Sequence, residues 1–146
     1  AGYETQQFGN SDQEQASIKA AKLMAELYEA LEGSGYSEHE SSVFLVRTLF
    51  ILFADDSGIW PRGLFTNFLH NRTSPDGSDL GPMMGQLFEV LNTPIDKRQK
   101  NLDEAFASFP YVNGGIFAEH LHTAAFDRVM HEKMIKADLF DWSPKF

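Results

Sequence analysis

The sequence predicts a mainly α, single-domain helical bundle of about six helices around a buried central helix, with a short hairpin or loop at 109–119. Three observations carry that prediction. Residues 43–54 are apolar at nearly every position and enclose one arginine, Arg47; the length of the run and the polar cap in front of it favour a helix over a buried strand. Amphipathic segments at helical spacing recur on both sides of it. The 146 residues, 42% hydrophobic and 13% aromatic, suffice for a single good core.

Taken in order, residues 1–10 are polar and Gly-containing and read as a loose arm, leaving 11–146 as the folded domain. Ser11 with Glu14 forms a capping box. Beyond it Ala20, Met24, Leu27 and Leu31 make one helical face, and Gln15, Lys19, Lys22, Glu26 and Glu29 the other. This helix is expected to end near Glu32, with Gly33 as the left-handed cap, and the short link makes it an antiparallel neighbour of the central helix. A second capping box, Ser37 with Glu40, starts the central helix at about Glu38, and the apolar run carries it to Ala54. Such a run is expected to be covered on all sides. Arg47 is expected in an internal ion pair, because an unpaired buried guanidinium costs several kcal/mol. Asp55 and Asp56 place negative charge at the negative end of the helix dipole; Arg47, Arg62 or a ring of backbone donors is expected to compensate them.

Ser57-Gly58 and Trp60-Pro61 mark a turn. Leu64, Phe65, Phe68 and Leu69 give a short helix, followed by an exposed polar loop over 71–79. Leu80, Met84, Leu87 and Leu91 form the next amphipathic helix; Pro82 is tolerated in its first turn and Pro94 stops it. Asn101 with Glu104 caps a short helix to Ser108, and 123–137 is helical again. Asn113-Gly114 between apolar residues is the hairpin signal at 109–117. The aromatic-rich stretch 140–146 reads like a piece of a larger protein.

No cysteine is present, so disulfides and thiolate chemistry are excluded. No targeting segment is visible and no apolar run reaches the roughly 18 residues of a membrane span, so a soluble cytoplasmic chain is expected. A net charge of −9 weighs against a free-standing nucleic-acid binder. The charge is uneven: residues 1–60 hold ten acidic and three basic side chains, residues 61–100 four and five. The candidate DNA-backbone contacts are therefore Arg62, Arg72, Lys97, Arg98 and Lys100.

Asp55 and Asp56 could serve as a catalytic or metal-binding pair, but adjacent carboxylates after a helix are more often solvated or paired. A calcium loop starting there fails, since its last ligand would fall near Asn67. His120 and His122 lack third and fourth ligands at convincing spacing, and His131 stands a helix turn or more away. There is no serine elbow, P-loop, dinucleotide motif or nuclease motif. The sequence thus assigns no catalytic, cofactor-binding or metal residue, and a small hydrolase using Asp55, Asp56 and His122 ranks last among the readings.

Three blocks carry a resemblance: 44–59, from Phe44-Leu45-Val46-Arg47 through Ala54-Asp55-Asp56-Ser57-Gly58-Ile59; Leu91-Asn92-Thr93-Pro94; and 109–119, Phe109-Pro110-Tyr111-Val112-Asn113-Gly114-Gly115-Ile116-Phe117-Ala118-Glu119. Together they resemble the helical spacer of MmeI-type restriction-modification enzymes, over about 11–142, with 109–119 the most specific block. The resemblance implies a non-catalytic spacer in a protein that also carries a nuclease, an S-adenosylmethionine-dependent adenine methyltransferase and a target-recognition domain, acting on double-stranded DNA. The methyltransferase's cofactor and catalytic motifs are absent here, so no catalytic residue is carried over. The alternative is a self-contained helical protein–protein adaptor.

Overall fold

A computed structural model describes the backbone of residues 2–143 and the side chains of residues 12–143. Among the described residues the helices are α1 (Gly2–Gly33), α2 (Glu38–Ser57), α3 (Leu64–Arg72), α4 (Leu80–Leu91), α5 (Glu104–Ala107) and α6 (Arg128–Leu139), with a 3-10 turn at Ile95–Lys97 and no strand. The all-helical class and the six helices match the expectation, and 109–119 is a loop.

The central helix starts where its cap places it: Ser37 Oγ accepts from the Glu40 N–H at 3.1 Å. The other half of the expected box differs. The Glu40 carboxylate takes a 3.3 Å contact from the Ser37 hydroxyl, and turns to His122, accepting from its backbone N–H at 3.2 Å and meeting Nδ1 at 2.9 Å. Ser41, Phe44, Thr48, Ile51, Leu52 and Asp55 recur every three to four positions and form the buried face. The helix is not covered on all sides, since Val46 is 53% exposed and Phe50 only partly buried. An exposed valine costs little, and the long apolar run therefore does not require a cover all round.

Helix α1 lays Leu23, Leu27 and Leu31 against α2 and α6. It extends back to Gly2, through the expected cap at Ser11 and over residues 2–10, where the sequence predicts a loose arm; the side chains of 1–11 lie outside the described residues. Gly35, with φ 94°, takes the left-handed conformation assigned by sequence to Gly33. Helix α4 buries Leu80, Met84, Leu87 and Leu91 completely. Its Gly81 lies so close to the 124–127 segment that a Cβ would stand 1.8 Å from the Ala124 carbonyl.

That crossing explains a correction: residues 123–127 run across α4, and α6 begins only at Arg128, with Asp127 accepting from the Met130 N–H at 3.1 Å. Helix α5 is likewise capped by Asp103, which accepts from Ala105 N–H at 2.8 Å, and not by Asn101.

Candidate functional site

Between α5 and α6 the chain crosses the bundle without regular structure, and side chains from elsewhere hold this strap. Gly114 and Gly115, at φ 133° and 83°, turn it back where Asn-Gly was expected to turn. At its start the Arg98 fork donates to Val90 O at 3.0 Å, Thr93 O at 3.1 Å and Phe109 O at 2.7 Å. Val112 N–H adds a 2.8 Å bond to Leu91 O. Further on, Arg47 donates from Nε to Ile116 O at 2.9 Å and from Nη2 to Glu119 O at 2.6 Å. Its guanidinium lies 5.1 Å from the Phe88 ring centroid and 5.7 Å from that of Phe117. Finally Glu40 grips His122, and Tyr36 Oη donates to the His122 carbonyl.

The expected ion pair of Arg47 is thus replaced by carbonyls; among the described residues no carboxylate reaches ion-pair distance of it. A rigid planar fork of donors suits carbonyls that an irregular segment cannot satisfy by itself. Burial lowers the pKa of Arg47 and, less deeply in the fold, of Arg98, while burial and the nearby Glu40 push Tyr36 up to about 12. A groove of about 390 Å³ runs between the strap and α4, with Arg47, Phe88, Gly85 and His120 in its walls.

At the other end of α2, Asp55 accepts from Trp60 Nε1 at 2.8 Å, Phe65 N–H at 2.7 Å, and Thr66 N–H and Oγ1 at 3.2 Å. This is the ring of donors that the sequence offered as one alternative. It also caps α3, whose own cap residue is Gly63. Asp56 accepts from Trp142 N–H at 2.8 Å.

Asp138, 8% exposed, shares the Thr66 hydroxyl at 3.0 Å, while its other oxygen has no hydrogen-bond partner and His70 Nε2 is 3.8 Å away. One hydroxyl proton cannot serve both Asp55 and Asp138, so a protonated Asp138 that donates to Thr66 resolves the conflict. Burial pushes its carboxyl up to about 6, in the same sense.

The five basic residues singled out by sequence differ in what they engage. Arg98 turns inward, Arg72 pairs with Asp103 at 3.5 Å, and Arg62 stands by Asp56, while Lys97 and Lys100 are exposed. His120 and His122 rings are 6.4 Å apart, His131 is buried against Thr73 at 2.9 Å, and among the described residues no cluster fit to hold a metal forms. Sequence reasoning missed the inward role of Arg98. Its only local signal was the closeness of Thr93 and Phe109 along the chain.

A family profile described as MmeI, helicase spacer domain, matches residues 39–117. The chain is 33% identical to DNA methyltransferase A of Bacillus subtilis (strain 168) over 133 residues, 88% of this chain and 15% of that protein. It is similar, at a TM-score of 0.82 and 46% identity, to the solved structure of the type IIL restriction-modification enzyme MmeI in complex with DNA, covering 86% of this chain and 17% of that one. The chain therefore spans less than a fifth of the length of either relative.

Proposed function

The chain belongs to the MmeI helicase spacer domain family, and on that premise we propose that it is a non-catalytic helical spacer of a larger S-adenosylmethionine-dependent, adenine-specific DNA methyltransferase or restriction enzyme. In this reading it works in the cytoplasm and sets the geometry between nuclease and methyltransferase modules on double-stranded DNA. The observation that carries the reading is the fastening of the strap by Arg98, Arg47 and Glu40. A segment without regular structure is normally the part that opens most easily; here the buried Arg47 and the half-buried Arg98 and Glu40 hold it, so forces are passed on with little give. The chain's small share of both relatives also supports a part that acts beside other modules. S-adenosylmethionine is assigned to the parent's methyltransferase part, since its motif is absent from this sequence.

Within the same proposal Lys97 and Lys100 touch DNA phosphates without reading bases, with Arg62 and Arg72 as secondary contacts. Arg98 leaves this group because its guanidinium is spent on carbonyls.

The spacer role is tested in the full-length parent carrying Arg47→Met. Slower methylation with an unchanged recognition sequence is expected; unchanged methylation, with hydrogen exchange showing a loosened strap, overturns the reading. For the phosphate contacts, Lys97→Ala with Lys100→Ala is expected to make the salt dependence of binding shallower by about 2 in logarithmic slope. Identical slopes eliminate those contacts.

A further inference from the structure

The residues set aside as an ordinary amphipathic face, Lys19 and Lys22, acquire partners that the sequence keeps far apart. Helix α6 packs on α1 and brings Lys133 and Lys136 to the same edge. Lys136 Nζ lies 3.2 Å from Glu26, a residue 110 positions away. Glu26 is held below its usual pKa by the Lys136 hydrogen bond, with Lys133 and Lys22 adding their fields. Lys19 Nζ stands 5.8 Å from the Phe140 ring centroid. Three of the seven lysines of this acidic chain thus gather about one carboxylate, with Lys19 on the same groove.

Between the helices lies a groove of about 400 Å³, with Ile18, Leu23 and the stems of Lys19, Lys22 and Lys136 among its walls. Ile18, on the groove wall, is 67% exposed. An exposed branched apolar side chain beside lysines describes a surface with two demands. It favours apolar contact along its middle and negative charge along its rims. A phosphate backbone meets the second demand alone, whereas an acidic amphipathic protein segment meets both.

We propose that the α1/α6 groove is the docking surface for an acidic amphipathic segment of an adjoining module of the parent polypeptide. The inference rests on the spacer reading and names the face through which the spacer is joined. The occupant's apolar residues cover Ile18, and its carboxylates answer the lysine charges of the groove walls, where Lys19, Lys22 and Lys136 face the single carboxylate of Glu26.

The test is zero-length carbodiimide crosslinking of the full-length parent without DNA, which joins lysine amines to carboxylates, followed by mapping of the linked peptides. The Lys136–Glu26 pair is the internal control. Links from Lys19, Lys22 or Lys133 to aspartates or glutamates outside residues 1–146 are expected. In a parent carrying Ile18→Asp and Lys22→Glu these links should fall about tenfold, because like charges then face each other. Retention of the Lys136–Glu26 link shows that α1 and α6 still pack in that variant.

Outward links that persist undiminished in this variant overturn the proposal, as do links confined to the domain. Lysines that are unlinked without DNA but shielded from acetylation when a duplex is added also overturn it, and assign the face to phosphates. Outward links from Lys97 and Lys100 alone overturn it while leaving the spacer reading intact. The spacer reading itself stands or falls separately, on methylation by the Arg47→Met parent.

Discussion

Arg47 and Asp55 share one face of α2, each only 2% exposed, and although opposite in charge they are not each other's partners. Arg47 reaches outward to the carbonyls of Ile116 and Glu119; Asp55 reaches to the N–H groups that open α3 and to Trp60. The cation fastens a segment that has no ladder of its own, and the anion fastens a helix that has no cap of its own. A buried charge that is answered by backbone dipoles removes two problems at once, because those dipoles would themselves be costly if left unpaired. Pairing the two side chains with each other would have left both chain segments unsatisfied.

The largest expected effect breaks the platform that both fasteners share. Phe44→Ala, at a ring 1% exposed and packed edge-on against Phe88 at 5.1 Å, should lower stability by about 3–5 kcal/mol in denaturant titration. The partly exposed Phe50 should cost less, about 1–3 kcal/mol. Equal losses would mean that Phe44 is no more central than Phe50.

Asp55→Ala comes next. It strips the N–H groups of Phe65 and Thr66 and the Trp60 indole of their acceptor, and about 3–4 kcal/mol is expected. Amide hydrogen exchange should quicken at Phe65 and Thr66 and leave Val112 unchanged. Arg47→Met should cost about 2–3 kcal/mol, since methionine keeps much of the packing and carbonyls tolerate lost partners better than N–H groups do. Here exchange should quicken at Val112 and His122 and leave Phe65 unchanged. Both variants quickening the same amides would show one cooperative unit and end the contrast between the two fasteners.

The smallest effect concerns the proton conflict beside Asp55. Asp138 titrates near 3.8 unfolded and at about 6 folded, so between those values the folded chain binds more protons. Its contribution to stability is complete below 3.8 and is lost as pH rises through about 6. Asp138→Asn, whose amide can donate to Thr66 at any pH, should stabilise the protein at pH 8 by about 1–2 kcal/mol and change little near pH 4. Thermal melts at the two pH values check this. A variant less stable than the parent at pH 8 would show that the carboxylate form is the one the fold uses.

Helices α2 and α4 were legible because their signals are local. The Ser37 cap, the apolar spacing of Leu80, Met84, Leu87 and Leu91, and the stop at Pro94 act within a turn or two of the chain. The start of α6 was misread for the complementary reason. Residues 123–127 are acceptable in a helix by themselves, and only the close approach to Gly77 and Gly81 of α4's entry keeps them extended. The strap was legible as a turn through Asn113-Gly114, and its fastening was not.

What the sequence determined by itself was the all-helical class, the cap that starts α2, and that Arg47 and the Asp55-Asp56 pair needed partners. Which groups answer the long polar side chains was decided by tertiary structure: carbonyls for Arg47 and also for Arg98, N–H groups for Asp55, and Glu26 for Lys136 across 110 residues. Helix periodicity follows from steric and hydrogen-bond rules over four residues, whereas the partner of a long polar side chain depends on which distant backbone the packed core brings within 3 Å or so of it.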